Sequence, residues 1–206
     1  MWVLLKSERI LFNVGESQLS GILEEPNSKT SSVVLVLHPH PQYGGDMHNP
    51  VVVTLVNALL EVGYATFRFN FRRGGISEAL DDTITASEIL THQGWNLAGI
   101  AGYSFGGSTA LRYSSIKEIG FVISVSSSLD LYQEGGIDAS CLSGIECPVL
   151  MFHGKSDLTV PFDNMTEIAS NIRSNVECIS LETEGHFYHD SRKRVHNEVK
   201  LFLGKM

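Results

Sequence analysis

The sequence has only three cysteines in 206 residues, Cys141, Cys147 and Cys178. Their number is odd and their spacing matches no zinc pattern, so they read as ordinary thiols in a reducing compartment. No apolar run reaches the ~18 residues that a membrane helix needs. Positive charge is scarce: 15 Lys+Arg stand against 23 Asp+Glu, a net charge of −8. The one basic run is Arg192-Lys193-Arg194, which is short and set among polar residues. Binding to nucleic-acid phosphates needs a clustered positive face, and none is present. Internal repeats and low-complexity tracts are absent. Met1–Leu5 is followed by Lys6, Glu8 and Arg9, which is too short an apolar segment for a signal peptide. The default compartment is therefore cytoplasmic.

What is present fits one globular domain over residues 1–206. Apolar residues make up 43% and charged residues 18%, which excludes a disordered or fibrous chain. A chain of this length hides roughly 70% of its unfolded surface. Short runs rich in Val, Ile and Phe predict buried strands at Val33–Leu37, Ala65–Phe71, Leu97–Gly102, Phe121–Ser126, Pro148–Phe152 and Glu177–Glu182. Arg9–Val14 and Gln18–Glu24 precede them as an antiparallel pair turning near Gly15, and the polar stretch Pro26–Ser32 reads as a loop.

Segments with helical spacing alternate with the strands. Asn49-Pro50 opens one helix as N-cap and first residue, and Gly63 closes it. Others are predicted at Asp82–Gln93, Gly106–Ser115, Asn164–Ile172 and Asp190–Leu203. Alternating strands and helices imply an α/β fold: a mostly parallel, twisted sheet covered by helices on both faces. Ligands of such sheets bind at the carboxyl ends of the strands, and the residues there carry the functional argument.

After Leu97–Ala101 comes Gly102-Tyr103-Ser104-Phe105-Gly106, a G-x-S-x-G between a strand and a helix. A serine at so sharp a turn is strained and exposed above the sheet, and small neighbours avoid a clash. The bland alternative is a glycine-rich turn with a harmless serine. A nucleophilic serine needs a base, and the base needs an orienting acid. In this type of sheet the chain order is Ser, acid, His. Asp157 follows the strand Pro148–Phe152, and His186 follows Glu177–Glu182, so Asp157 is the preferred acid and His186 the preferred base. Asp130 is an alternative acid, and Asp163 reads instead as a helix cap. His189 lies three residues beyond His186, but Gly185 permits the turn that presents His186.

The strand Val33–Leu37 runs into His38-Pro39-His40-Pro41-Gln42-Tyr43-Gly44-Gly45. An acyl-transfer site needs N–H donors for the developing oxyanion. One is the backbone of Phe105, next to the serine. The other is the backbone of His40, because Pro39 and Pro41 have no N–H. A metal site built from His38, His40, Asp46 and His48 is disfavoured by the intervening proline and by the lack of an H-E-x-x-H pattern. After Ala65–Phe71 come Arg72 and Arg73. They either hold a substrate carboxylate or anchor the loop by pairing with Glu78, Asp81 or Asp82. Tyr43, Arg72 and Tyr103 are the candidate substrate contacts.

Together these residues resemble the α/β-hydrolase superfamily. The resemblance is closest to a subgroup of small, lid-poor hydrolases with a loop like His38-Pro39-His40-Pro41-Gln42-Tyr43-Gly44-Gly45. The subgroup also carries a segment like Asn70-Phe71-Arg72, a G-x-S-x-G-G elbow and an acid strand like His153-Gly154-x-x-Asp157-x-x-Val160-Pro161. The chain also looks related to the dienelactone-hydrolase group, which has a cysteine where this chain has Ser104. The likeness runs from about Gln18 to Phe202. It implies Ser104 as nucleophile, Asp157 as acid, His186 as base, and Phe105 and His40 as oxyanion donors. It also implies hydrolysis of a small-molecule ester without metal or organic cofactor, while the charge balance and the lack of a long apolar run already exclude nucleic acid and membrane as partners. Esters and thioesters require the same protein groups.

Two features set the chain apart. Relatives usually read Asn-Phe-Arg-Gly-x-Gly-x-Ser, whereas here Arg73 precedes Gly74-Gly75. The link from there to the helix near Asp82 is also short. As in the lid-poor subgroup, only Leu129–Glu146 separates Ser128 from the strand at Cys147-Pro148, which leaves no room for a lid domain and implies an open pocket. The rival expectation is a non-catalytic binding protein of the same fold.

Overall fold

The computed structural model describes residues 6–206. Met1–Leu5, on which the signal-peptide expectation rests, lie outside the described residues. Eight strands form one sheet in the order β1-β2-β4-β3-β5-β6-β7-β8. The leading pair is β1 (Lys6–Val14) and β2 (Ser17–Glu25), antiparallel to each other. Strand β2 also runs antiparallel to β4 (Ala65–Phe69). From β4 onward the pairing is parallel, through β3 (Ser32–Leu37), β5 (Asn96–Tyr103), β6 (Val122–Val125), β7 (Val149–Gly154) and β8 (Val176–Leu181).

Both faces of the sheet are buried, as the unbroken apolar runs require. Val33, Leu35 and Leu37 face a core with α2 (Ile76–His92), α3 (Phe105–Ser114) and α5 (Asp163–Asn171). Val34 and Val36 face the opposite core, with α1 (Pro50–Glu61) and α6 (Arg192–Leu203). Helix α1 shows why its valines are tolerated. Each valine loses at most about 0.7 kcal/mol of helix propensity, and burying one regains about 1.5–3 kcal/mol. Val51 and Val52 are buried. Asn49 Oδ1 caps the helix at the Val51 N–H, 2.9 Å away, and Gly63 leaves it at a positive φ of 95°.

Two boundaries differ from the sequence expectation in ways that matter at the site. Strand β4 stops at Phe69, because the Phe71 N–H turns away from the sheet to His38 Nε2, 2.9 Å away. Helix α2 starts at Ile76, six residues before the expected Asp82. The Glu78 carboxylate reaches back to the Gly75 N–H at 3.0 Å and closes the first turn. The chain between β6 and β7 forms only a short helix α4 (Asp130–Glu134) and a 3₁₀ segment (Ala139–Gly144), so no lid is present among the described residues. No helix among the described residues is long and apolar enough to cross a membrane.

Candidate active site

Three strand ends meet where the sheet turns from β5 into α3. Ser104 occupies the turn with φ 55° and ψ −118°, a region that side chains rarely adopt. The flanking glycines make this turn possible. A Cβ on Gly102 would lie 2.1 Å from the Gly106 carbonyl oxygen, and one on Gly106 would lie 2.4 Å from that of Leu37. The Ser104 N–H is held by the Val125 carbonyl at 2.7 Å, which ties the elbow to β6.

The Ser104 hydroxyl lies 3.1 Å from His186 Nε2, and His186 Nδ1 lies 2.7 Å from Asp157 Oδ2. A carboxylate accepts only, so Nδ1 carries the proton and Nε2 is left to accept from Ser104. Both Asp157 oxygens are occupied. Oδ1 accepts the N–H groups of Thr159 and Val160 at 2.9 and 2.8 Å. His153 approaches Oδ2 at 3.5 Å while its Nε2–H donates to the Val160 carbonyl at 3.0 Å. Burial opposes ionisation of Asp157. The bonds from His153, His186 and the Val160 amide outweigh it and hold the carboxyl well below the usual carboxylate range.

His186 sits on a loop built around a second carboxylate. Glu184 Oε1 accepts the N–H groups of Gly185 and His189, and Oε2 accepts those of Asp190 and Ser191, at 2.7–3.2 Å. Burial raises the Glu184 pKa and these bonds lower it, with a net lowering. The carboxylate also faces the N-terminus of α6, where negative charge is favoured. The Glu184 carbonyl accepts the Ser156 N–H at 3.0 Å, joining the Asp157 loop to the His186 loop. Nothing in the sequence marked Glu184. Its partners are backbone groups, and an acidic residue at a strand end reads as solvated.

The candidate substrate contacts separate on inspection. Tyr43 stands 88% exposed at the rim of the cleft. Tyr103 lines the cleft with Ser104 and His186, and it is otherwise buried, with its hydroxyl donating to the His186 carbonyl at 2.6 Å, so it also holds the loop that carries His186. Arg72 is a correction. Its Nε binds Asp82 Oδ1 at 2.5 Å, its backbone N–H binds Asp82 Oδ2 at 2.8 Å, and it does not line the cleft. Arg73 is exposed and also lies off the cleft. Asp130 is exposed as the first residue of α4, and His189 is exposed with its N–H on Glu184. Neither lies against Ser104. Asp163 is the first residue of α5, whose N-cap is Phe162, and makes no cap bond.

The Phe105 N–H opens α3, and the loop after β3 lies beside it, with the His40 ring 4.4 Å from that of Phe105 between centroids. No hydrogen bond among the described residues uses the N–H of Phe105 or of His40. Neither ring nitrogen of His38 is open to a metal. Nε2 accepts the Phe71 N–H, and Nδ1–H donates to the Pro39 carbonyl at 2.6 Å. Ser104 and His186 lie in a cleft of about 330 Å³, with Tyr43, Thr159 and Phe187 on its walls.

No protein-family model matches the sequence. An uncharacterized protein of Rickettsia prowazekii is 26% identical over 185 residues, covering 84% of this chain and 77% of that one. An α/β serine hydrolase homologue from Coxiella burnetii superimposes with a TM-score of 0.84 at 26% identity, over 98% of this chain and 100% of that one. A serine hydrolase without a lid from Xanthomonas campestris gives 0.84 at 22% identity, over 97% and 94%. A dienelactone hydrolase from Anabaena variabilis gives 0.81 at 20% identity, over 98% of each chain. The chain therefore has the α/β-hydrolase fold in its lid-less form and is similar to α/β serine hydrolases, dienelactone-hydrolase-like proteins among them.

Proposed function

We propose that the chain is a serine hydrolase that cleaves small, uncharged carboxylic esters or thioesters through an acyl-enzyme. The observation that carries this reading is the unbroken line from Asp157 through His186 to Ser104, at 2.7 and 3.1 Å, on a strained elbow. His186 Nε2 takes the Ser104 proton as Oγ attacks the acyl carbonyl. Asp157 fixes the tautomer and supports the imidazolium. The N–H groups of Phe105 and His40 receive the oxyanion. His186 then gives the proton to the leaving alcohol or thiol. Water, deprotonated by His186, releases the acid and restores Ser104.

The cleft supports the substrate class. Its volume of about 330 Å³ suits a short acyl group. Among the described residues, no Lys, Arg, Asp or Glu lines it, and the expected cation Arg72 is bound to Asp82. The test is turnover of a panel of short acyl esters and thioesters by wild type and Ser104→Ala. A loss of at least 10³-fold with the fold intact is expected. Turnover retained within a few-fold overturns the assignment.

A further inference from the structure

We infer that His38 is a positioning residue that aims the His40 N–H, the second oxyanion donor, by holding the carbonyl of the same peptide unit. The inference rests on the serine-hydrolase reading and assigns a role to a buried histidine that the reaction does not itself use. His38 directly follows β3 and is 1% exposed. Its Nε2 accepts the Phe71 N–H at 2.9 Å, so the ring proton is on Nδ1, and Nδ1–H donates to the Pro39 carbonyl at 2.6 Å.

The Pro39 carbonyl and the His40 N–H belong to one peptide group. That group is planar and trans, since the described chain has no cis bond. In a trans peptide the C=O and N–H point in opposite directions. Fixing the carbonyl therefore fixes the direction of the donor. The ring acts as a strut between the end of β4 and this one peptide.

Two further contacts agree with this role. The Pro39 carbonyl lies against Gly45, where a Cβ would come within 2.1 Å of its oxygen. Only a residue without a side chain leaves room for the carbonyl to be turned that way. The next carbonyl, that of His40, is held by the N–H groups of Tyr43 and Gly45, both at 3.1 Å. The loop therefore binds carbonyl oxygens inward on both sides of His40 and leaves that N–H without a partner. A donor held in this way needs no reorganisation when charge develops on the substrate oxygen, which is what makes such donors effective.

Burial lowers the His38 pKa to about 4, so the ring keeps its neutral, two-ended form at the pH where His186 works as a base. The groups around it are the Pro39 carbonyl and Asp46, which favour the charged form, and His40, which opposes it.

Two conservative substitutions separate the two ends of the ring. The amide nitrogen of Asn replaces Nδ1, so His38→Asn keeps a donor for the Pro39 carbonyl and loses the bond from Phe71. The amide oxygen of Gln replaces Nε2, so His38→Gln keeps the acceptor for Phe71 and loses the bond to Pro39. Both variants are destabilised, and urea unfolding measures by how much. Kinetics on a short ester, and inhibition by a trifluoromethyl ketone whose hemiketal carries an oxyanion, measure the donor.

The expected result for His38→Gln is a 30- to 100-fold loss in kcat, with KM within about three-fold and a parallel loss of ketone affinity. His38→Asn is expected to stay within about five-fold of wild type on both readouts. Equal losses in the two variants, or a kcat loss without a change in ketone affinity, overturn the positioning role. Wild-type turnover that does not depend on Ser104 instead overturns the hydrolase reading beneath it.

Discussion

Asp157 and Asp130 both follow strands of the parallel sheet, and burial and bonding tell them apart. Asp157 is 6% exposed and all its partners are placed, whereas Asp130 is exposed at the head of a five-residue helix. An amide at position 157 offers a donor where His186 Nδ1–H needs an acceptor, which favours the wrong tautomer. Asp157→Asn is expected to lower kcat by about 10⁴-fold, and Asp130→Asn by no more than a few-fold, in steady-state assays on one ester.

Tyr103 gives a second residue-scale test. Its hydroxyl is bonded to the His186 backbone, so Tyr103→Phe leaves a buried carbonyl without its donor, a cost of about 1–3 kcal/mol. The expected effect is a roughly ten-fold drop in kcat with KM little changed, because 1.4 kcal/mol is one decade. A rise in KM at constant kcat would identify Tyr103 as a substrate contact instead.

At the scale of elements, the loop from Glu184 to the start of α6 is organised by one carboxylate that gathers the N–H groups of residues 185, 189, 190 and 191. Glu184→Gln replaces one oxygen with an NH2 group that faces N–H donors. The expected loss is about 2–4 kcal/mol in urea unfolding, from two amides left unpaired. A change below 0.5 kcal/mol would mean that the loop is held by its packing.

This loop also shows what was legible in the sequence. The strands were readable because they are buried on both faces and carry unbroken Val-, Ile- and Phe-rich runs. Residues Ser104, Asp157 and His186 were readable because each follows such a run. Glu184 and His38 were not, because their partners are backbone groups of irregular loops, which no periodicity records. The early start of α2 is not legible in the sequence for the same reason: the Glu78–Gly75 contact, rather than an apolar stripe, sets it. The sequence leaves Arg72 between two roles, because its partner Asp82 lies ten residues on and meets it only through the fold.

On the scale of the whole molecule, three buried groups link stability to pH in the same direction. Asp157 and Glu184 have lowered pKa values in the folded state. Their stabilisation is present above the unfolded carboxylate range near 4 and is lost as the pH falls below it. His38 acts earlier. Its folded pKa is about 4 against an ordinary 6.5. Between those values the unfolded chain takes up a proton that the folded chain refuses. Stability from this group therefore falls as the pH drops from 6.5 to 4, by roughly 3 kcal/mol in total. Urea midpoints measured from pH 7 to pH 4 should decline across that window, and His38→Asn should flatten the decline. A wild-type midpoint that stays level to pH 4 would contradict a buried neutral His38.

Sheet, elbow and loops assemble to make one serine reactive, and the intact mass of the protein after treatment with a fluorophosphonate, on wild type and on Ser104→Ala, reads this directly. One phosphonyl adduct is expected on the wild type and none on the variant. An unmodified, well-folded wild type, or an adduct that persists in Ser104→Ala, would contradict it.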